Sequence, residues 1–262
     1  MATPEALSST SIRGSIATAP VGSRGSEVSP QEEILWALEE KAPRYNEWLL
    51  SRALPHAGSH VLEIGAGIGT FSLLLAARGI RVSALEPDED LADILEERTW
   101  DLGGIDVLRS DIEGFGLDRL TEPVDSVICF NVLEHIPDDR AALASMAGCL
   151  KEGGQLMLLA PAHRFLFGET DRTVDHERRY DSSGVSRLLS DVGLEVVQLQ
   201  YVNPVGAAGW FVSSRLLRRR TLSKSSLQLY EQLVPTLRAL DRLRFPVGLS
   251  VWARARRSVS PR

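Results

Sequence analysis

A short apolar run, Val61-Leu62-Glu63-Ile64, breaks into Gly65-Ala66-Gly67-Ile68-Gly69 and is followed at Phe71–Arg78 by residues with helical spacing. Alternating glycines at such a junction let the backbone turn sharply. They also let a ligand approach the amide groups and the helix N-terminus closely. A strand passing tightly into a helix restricts the chain to folds in which strand–helix units share one sheet.

The alternation continues along the sequence. Ile80–Leu85 reads as a strand, Glu89–Glu97 as a helix and Asp106–Leu108 as a weaker strand. Val124–Phe130 is a strong strand, followed by a helix at Asp138–Leu150, a turn at Gly153-Gly154 and a strand at Gln155–Ala160. These strands are apolar throughout, as expected of a parallel sheet covered on both faces. Ser182–Val192 reads as a helix ended by Gly193, and Leu194–Tyr201 as the next strand. Two helices are predicted at Gly206–Arg219 and Ser226–Leu243, before a last strand at Val247–Ala255. Helical spacing also starts at Pro30 and resumes around Tyr45, Trp48 and Leu49. Residues 1–28 lack periodicity, are rich in Ser, Thr, Gly and Ala, and are read as a disordered leader.

Composition narrows the setting. Cys129 and Cys149 are the only cysteines, both in apolar surroundings, so they are expected to fill core space and neither a disulfide nor a metal site is predicted. No segment resembles a secretory signal, and none reaches the roughly 18 uninterrupted apolar residues a membrane span needs. The reading favours a reducing cytoplasm. The net charge of −6 is uneven: residues 210–262 hold twelve Lys or Arg against two Asp or Glu, and the preceding residues 17 against 33. A basic tail on an acidic body suggests an anionic or lipid-linked partner, a peripheral membrane contact, or a fit within the molecule. Nucleic acid is not expected, because basic and aromatic residues are not interleaved. Nothing in the sequence specifies an oligomer.

The glycine loop does not follow the dinucleotide pattern Gly-x-Gly-x-x-Gly, because position 70 is Thr and the third glycine is Gly69. Glu63, two residues before Gly65, suits a cationic amino acid moiety better than a pyrophosphate. Glu86 ends the second strand 21 positions after Gly65, where a carboxylate can accept both hydroxyls of a ribose.

Val61–Gly69, Glu86, Ser110-Asp111-Ile112, Asn131-Val132-Leu133-Glu134-His135-Ile136 and Leu150–Gly154 occur in the order and spacing of a known family. Over residues 43–200 the chain resembles class I S-adenosylmethionine-dependent methyltransferases, in the small-molecule branch that includes quinone-biosynthesis enzymes. The resemblance implies an α/β, Rossmann-like fold: a seven-stranded, mostly parallel sheet with helices on both faces and a helical insertion before the last strand. One methyltransferase domain would then occupy residues 29–262, with 29–58 as a helical lid and 203–245 as an insertion over the active site. It implies S-adenosyl-L-methionine as cofactor, with Gly65, Ala66 and Gly67 along its methionine part and Glu63 near the ammonium. Glu86, with Pro87, would take the ribose, and Asp111 and Ile112 the adenine. Asn131 and Val132 would meet the ammonium through the backbone, and Tyr45 is the looser counterpart of an upstream aromatic.

Methyl transfer is an in-line displacement at a carbon activated by a sulfonium, so the protein supplies alignment and, for a protic acceptor, a base. His135 ends the fourth-strand motif and is a candidate cofactor contact or base. Phe167–Tyr180, following the fifth strand, is dense in polar groups, and His176 and Tyr180 are its candidate catalytic residues. The expected reaction is methylation of O, N or C of a small molecule. The rivals are an NAD(P)-dependent oxidoreductase and a non-catalytic cofactor-binding protein of the same fold.

Overall fold

The computed structural model describes residues 28–219 and 224–259. The expected leader, save Val28, and Arg220 of the basic run lie outside the described residues. Two helices lead the chain, α1 (Pro30–Lys41) and α2 (Pro43–Ala53). The Ser29 side chain accepts from the Glu32 amide and Pro30 opens the first turn, so α1 starts with its first free donors met.

The sheet comprises β1 (His60–Ile64), β2 (Arg81–Leu85), β3 (Ile105–Leu108), β4 (Val124–Phe130), β5 (Leu150–Pro161), β6 (Leu194–Val202) and β7 (Ser250–Arg257). Its order is β3-β2-β1-β4-β5-β7-β6. The pairings among β1 to β5 are parallel, and β7 runs antiparallel to both β5 and β6. This is the expected seven-stranded, mostly parallel sheet. Helices α3 (Thr70–Ala76), α4 (Glu89–Thr99), α5 (Asp139–Cys149) and α7 (Ser182–Asp191) connect the strands, with α6 (Glu169–Thr173) a short turn after β5. Asp88, Asp138 and Asp181 cap α4, α5 and α7 by accepting a backbone N–H.

All of β1 is buried, and the apolar side chains of the central strands divide between two core clusters. The first packs α5 and α7 through Leu143, Met146 and Leu189, and the second packs α2 and α3 through Leu49, Leu50 and Leu75. Strand order reverses between β1 and β4, which opens a crevice at the carboxyl edge.

Three local expectations are corrected. Gly153-Gly154 is not a turn ahead of the fifth strand but a bulge within β5, where pairing jumps from Val124↔Leu150 to Ser126↔Gln155. Gly153 has φ +76°, and a Cβ on Gly154 would lie 2.8 Å from the Lys151 carbonyl oxygen. The helix predicted at Gly206–Arg219 is α8 (Pro204–Trp210) running into a π-helical turn, Phe211–Leu216. Residues 247–249 precede the last strand instead of starting it, because Gly248 lies flat against the Val202 backbone, where a Cβ would fall 2.3 Å from a carbonyl oxygen. Helix α9 (Lys224–Leu240) precedes β7.

Candidate active site

The loop between β1 and α3 is held open by its glycines. Gly65, Gly67 and Gly69 have φ of +65°, +56° and +87°. A Cβ at Gly65 would lie 2.5 Å from the Val132 side chain, and one at Gly67 would lie 3.0 Å from Leu35 of α1. The Gly67 amide donates to Glu86 at 2.7 Å, and the Ala66 amide to the Leu85 carbonyl at 3.0 Å. Glu86 accepts a second amide, from Asp88, at 3.0 Å. Burial nevertheless lifts its carboxyl above the ordinary range.

Glu63 lies deeper, on β1, 3% exposed, and accepts the Ser72 hydroxyl. No ion pair to it occurs among the described residues. Burial, with the like charge of Glu86 beside it, pushes its carboxyl up to about 8. Glu63 and Glu86 line one cleft of about 450 Å³ together with Gly65, Asp111, Ile112 and Asn131. Ala66, Gly67, Pro87, Val132, His135 and Tyr45 face the same cleft. Ile34, Leu35 and Leu38 of α1 close its outer side. Helix α1 is tied to α3 and α4 by Glu39, which accepts from the Thr70 hydroxyl at 2.6 Å and from Arg98 at 2.6 Å, while Arg98 lies over the Trp36 ring.

A second chamber of about 470 Å³ adjoins the first, and Ile34, Leu38, Tyr45, Asn131, Val174 and His176 line both. Its further walls come from the insertion, through Val205, Trp210, Leu229 and Leu233, and its ionisable groups include Glu134, His176, Arg179 and Arg219. Tyr45 stacks edge-on against Tyr230 of α9, and burial pushes its hydroxyl up to about 12.

Where the chambers meet, a polar chain crosses the protein. Asp171, fully buried, accepts from the Gly168 amide (2.8 Å) and from Arg179 Nε (2.8 Å), and it lies 2.9 Å from His176 Nδ1. The Arg179 guanidinium also donates to the Ala162 carbonyl and stacks on Trp210. His176 Nε2 lies 3.7 Å from Glu134 Oε1, and the His135 and His176 rings meet edge to face at 4.8 Å. Burial pushes the Glu134 carboxyl up to about 8 and the His135 imidazole down to about 4.

Tyr180 is corrected. It lines neither chamber: its hydroxyl is committed to the Leu133 carbonyl and to Asp139, both at 3.1 Å, inside the core against α5. Its role is to fix the turn that carries Glu134 and His135. In the sequence Asp171 and Arg179 are only members of a polar stretch, and no motif assigns a role to Glu134, Trp210 or Tyr230. A signal is present for Glu134, an acid between the apolar Val132-Leu133 and Ile136 in the turn that follows β4.

Residues 38–199 match the family of the methyltransferase domain. The chain belongs to that family. The matched region reaches from α1 through β6 and takes in the glycine loop, Glu86, Asn131–His135 and His176. Curated relatives include a ubiquinone biosynthesis O-methyltransferase of Xylella fastidiosa, 32% identical over 110 residues, covering 42% of this chain and 44% of the relative. The protein of the same name from Aromatoleum aromaticum is 31% identical over 120 residues, covering 45% and 50%. The chain thus spans about half the length of the curated relatives it matches. Among solved structures, a SAM-dependent methyltransferase from Archaeoglobus fulgidus aligns with a TM-score of 0.57 at 18% identity, covering 86% of this chain and 99% of that one. Phosphoethanolamine N-methyltransferase 2 of Haemonchus contortus, solved with S-adenosyl-L-methionine, aligns at 0.59 and 16% identity, covering 87% and 57%. At such identities the structures share the fold. The methyltransferase fold is the one expected from the sequence.

Proposed function

We propose that the chain transfers a methyl group from S-adenosyl-L-methionine to an acceptor atom of a small molecule. The observation that carries this reading is Glu63: a buried carboxylate on β1 just before the glycine loop, facing a cleft, with no cation paired to it among the described residues. An amino acid ammonium, with a sulfonium close by, is a ligand that would let Glu63 ionise without leaving a bare charge. Glu86 keeps free lone pairs beside its two amide partners and would accept the ribose hydroxyls. Asp111 and Ile112 would border the adenine, and Gly65, Ala66 and Gly67 would border the methionine part, with the Asn131 backbone and Val132 near the ammonium. The name of the Haemonchus contortus complex agrees with this donor, and that of the ubiquinone biosynthesis O-methyltransferases agrees with methyl transfer.

The second chamber would hold the acceptor. Its walls are largely apolar, and Arg219 supplies a cationic group that an anionic or lipid-linked molecule would use, Arg179 being paired with Asp171. The side chains that α1, α8 and α9 contribute to the two chambers support a lid role for residues 29–58 and a covering role for 203–245. His176 and His135 stand at the junction, where the acceptor atom must meet the methyl group. With the donor bound, the protein's work is to align that atom with the methyl carbon and sulfur and to exclude water. No helix of the described residues is long and apolar enough to cross a membrane. We place the reaction in the cytoplasm.

The test is formation of S-adenosylhomocysteine from S-adenosylmethionine against a panel of hydroxylated, amino and carbanion-forming acceptors with apolar bodies. Turnover with any of them supports the reading. Binding of the donor product without turnover across the panel would favour a non-catalytic binding protein.

A further inference from the structure

We propose that Glu134, His135 and His176 bind one divalent transition-metal ion, such as Zn²⁺, at the junction of the two chambers. The inference deepens the acceptor-site reading above, on which its catalytic consequence rests, but the binding site stands on its own geometry. One ligand atom from each of the three side chains lies within 4.8 Å of the others. Tetrahedral ligands each about 2.1 Å from a common ion lie about 3.4 Å from one another, so the widest pair must close by about 1.4 Å, a shift that side-chain rotation of the two half-buried histidines can supply.

Four observations converge on this cluster. Glu134 is fully buried, and neither of its carboxylate oxygens has a hydrogen-bond partner, a costly arrangement that a cation relieves. His176 presents Nε2 toward Glu134 while Nδ1 faces Asp171 at 2.9 Å. A carboxylate on the far nitrogen is the support that orients a metal-bound imidazole and raises its basicity. The His135 ring meets that of His176 edge to face at 4.8 Å, which brings a second imidazole nitrogen to the same cluster. The charge count also leaves room. Glu134 and Asp171 face one guanidinium, that of Arg179, which is engaged by Asp171 and the Ala162 carbonyl. Asp139 and Arg178 pair with each other outside the cluster.

Two imidazoles and one carboxylate form a nitrogen-rich, borderline set that selects Zn²⁺, Mn²⁺, Fe²⁺ or Co²⁺ over Mg²⁺ or Ca²⁺. Three protein ligands leave a coordination position open. An acceptor hydroxyl bound there would release its proton to solvent. Its oxygen would then form the new bond to the methyl carbon as the carbon–sulfur bond breaks, the electron pair staying on sulfur. The residues singled out as candidate bases, His135 and His176, would thus activate the acceptor through the ion.

The test is titration of the chelator-treated full chain with Zn²⁺ by calorimetry and with Co²⁺ by visible absorption, in the absence of any methyl donor. The expected result is one ion per chain and ligand-field bands from Co²⁺. Glu134→Gln and His176→Gln should each weaken Zn²⁺ at least tenfold, with circular dichroism melts showing that the variants fold. Should Glu134→Gln not fold, His135→Ala carries the same expectation from a half-buried position. Absence of Co²⁺ bands in the parent, or Zn²⁺ affinity unchanged in folded variants, overturns the site. Titration of the metal-free chain with S-adenosylhomocysteine reads the donor site separately, so failure of one reading is not failure of the other.

Discussion

In the proposed donor cleft the floor is the glycine loop with two carboxylates at the carboxyl ends of neighbouring strands β1 and β2. In the proposed acceptor chamber the walls are side chains from separated segments: α1, α2, the turn after β4, the stretch after β5, α8 and α9. The first is fixed by backbone that the sheet already holds rigid. The second depends on long-range packing, such as the Glu177 amide donating to the Glu134 carbonyl, or the Ser214 hydroxyl accepting the Thr170 amide. The difference predicts that changes on the donor side alter affinity for the donor, whereas changes on the acceptor side alter turnover.

The largest effect is expected at the junction. His176→Ala should lower turnover by roughly 10²–10⁴-fold, in the range of a lost proton-transfer or acceptor-activating group, while affinity for S-adenosylhomocysteine stays within about twofold. Steady-state rates and calorimetry together check this. Equal losses in both would mean the two regions are one mechanical unit.

Gly65→Ala comes next. A side chain at φ +65° that also meets Val132 at 2.5 Å strains the loop, and ~1–3 kcal/mol of stability should be lost together with donor binding. Thermal melts with and without S-adenosylhomocysteine measure both. Glu86→Ala should weaken the donor product about tenfold, the equivalent of a charge-assisted hydrogen bond of ~1.5 kcal/mol.

Glu63 gives the comparison a pH signature. Its carboxyl ionises at about 8 in the ligand-free fold, against 4.5 ordinarily. The folded chain therefore keeps a proton that the unfolded chain has lost. Its contribution to stability is complete below pH 4.5, declines as pH rises toward 8, and is level beyond. Glu63→Gln should flatten that decline in ligand-free melts between pH 5 and pH 8, and a slope identical to the parent's would remove Glu63 as its source. The smallest effect is reserved for a core position: Tyr180→Phe should cost about 1 kcal/mol of stability and leave turnover unchanged.

Legibility in the sequence follows the same divide. The parallel strands, the glycine loop and Glu86 can be read because each is a local pattern: an apolar run, a glycine spacing, an acid at a strand end. The bulge at Gly153-Gly154 resembles a turn because both need a positive φ, and only pairing with β4 distinguishes them. Tyr180 looked catalytic because it ends a polar stretch. Its isolated bridge to Ala162 turns the side chain into the core, which no local spacing reveals. Asp171, Arg179 and Glu134 form their network across as many as 45 positions of sequence, and Trp210 and Tyr230 join the chamber from an insertion without a recognisable motif.

The central claim is that the cleft over the glycine loop is a methyl-donor site. Calorimetric titration of the full chain with S-adenosylhomocysteine, and in parallel with NADH, tests it most directly. The account predicts saturable 1:1 binding of S-adenosylhomocysteine and no heat from NADH; saturation by NADH, or no response to S-adenosylhomocysteine, would contradict it.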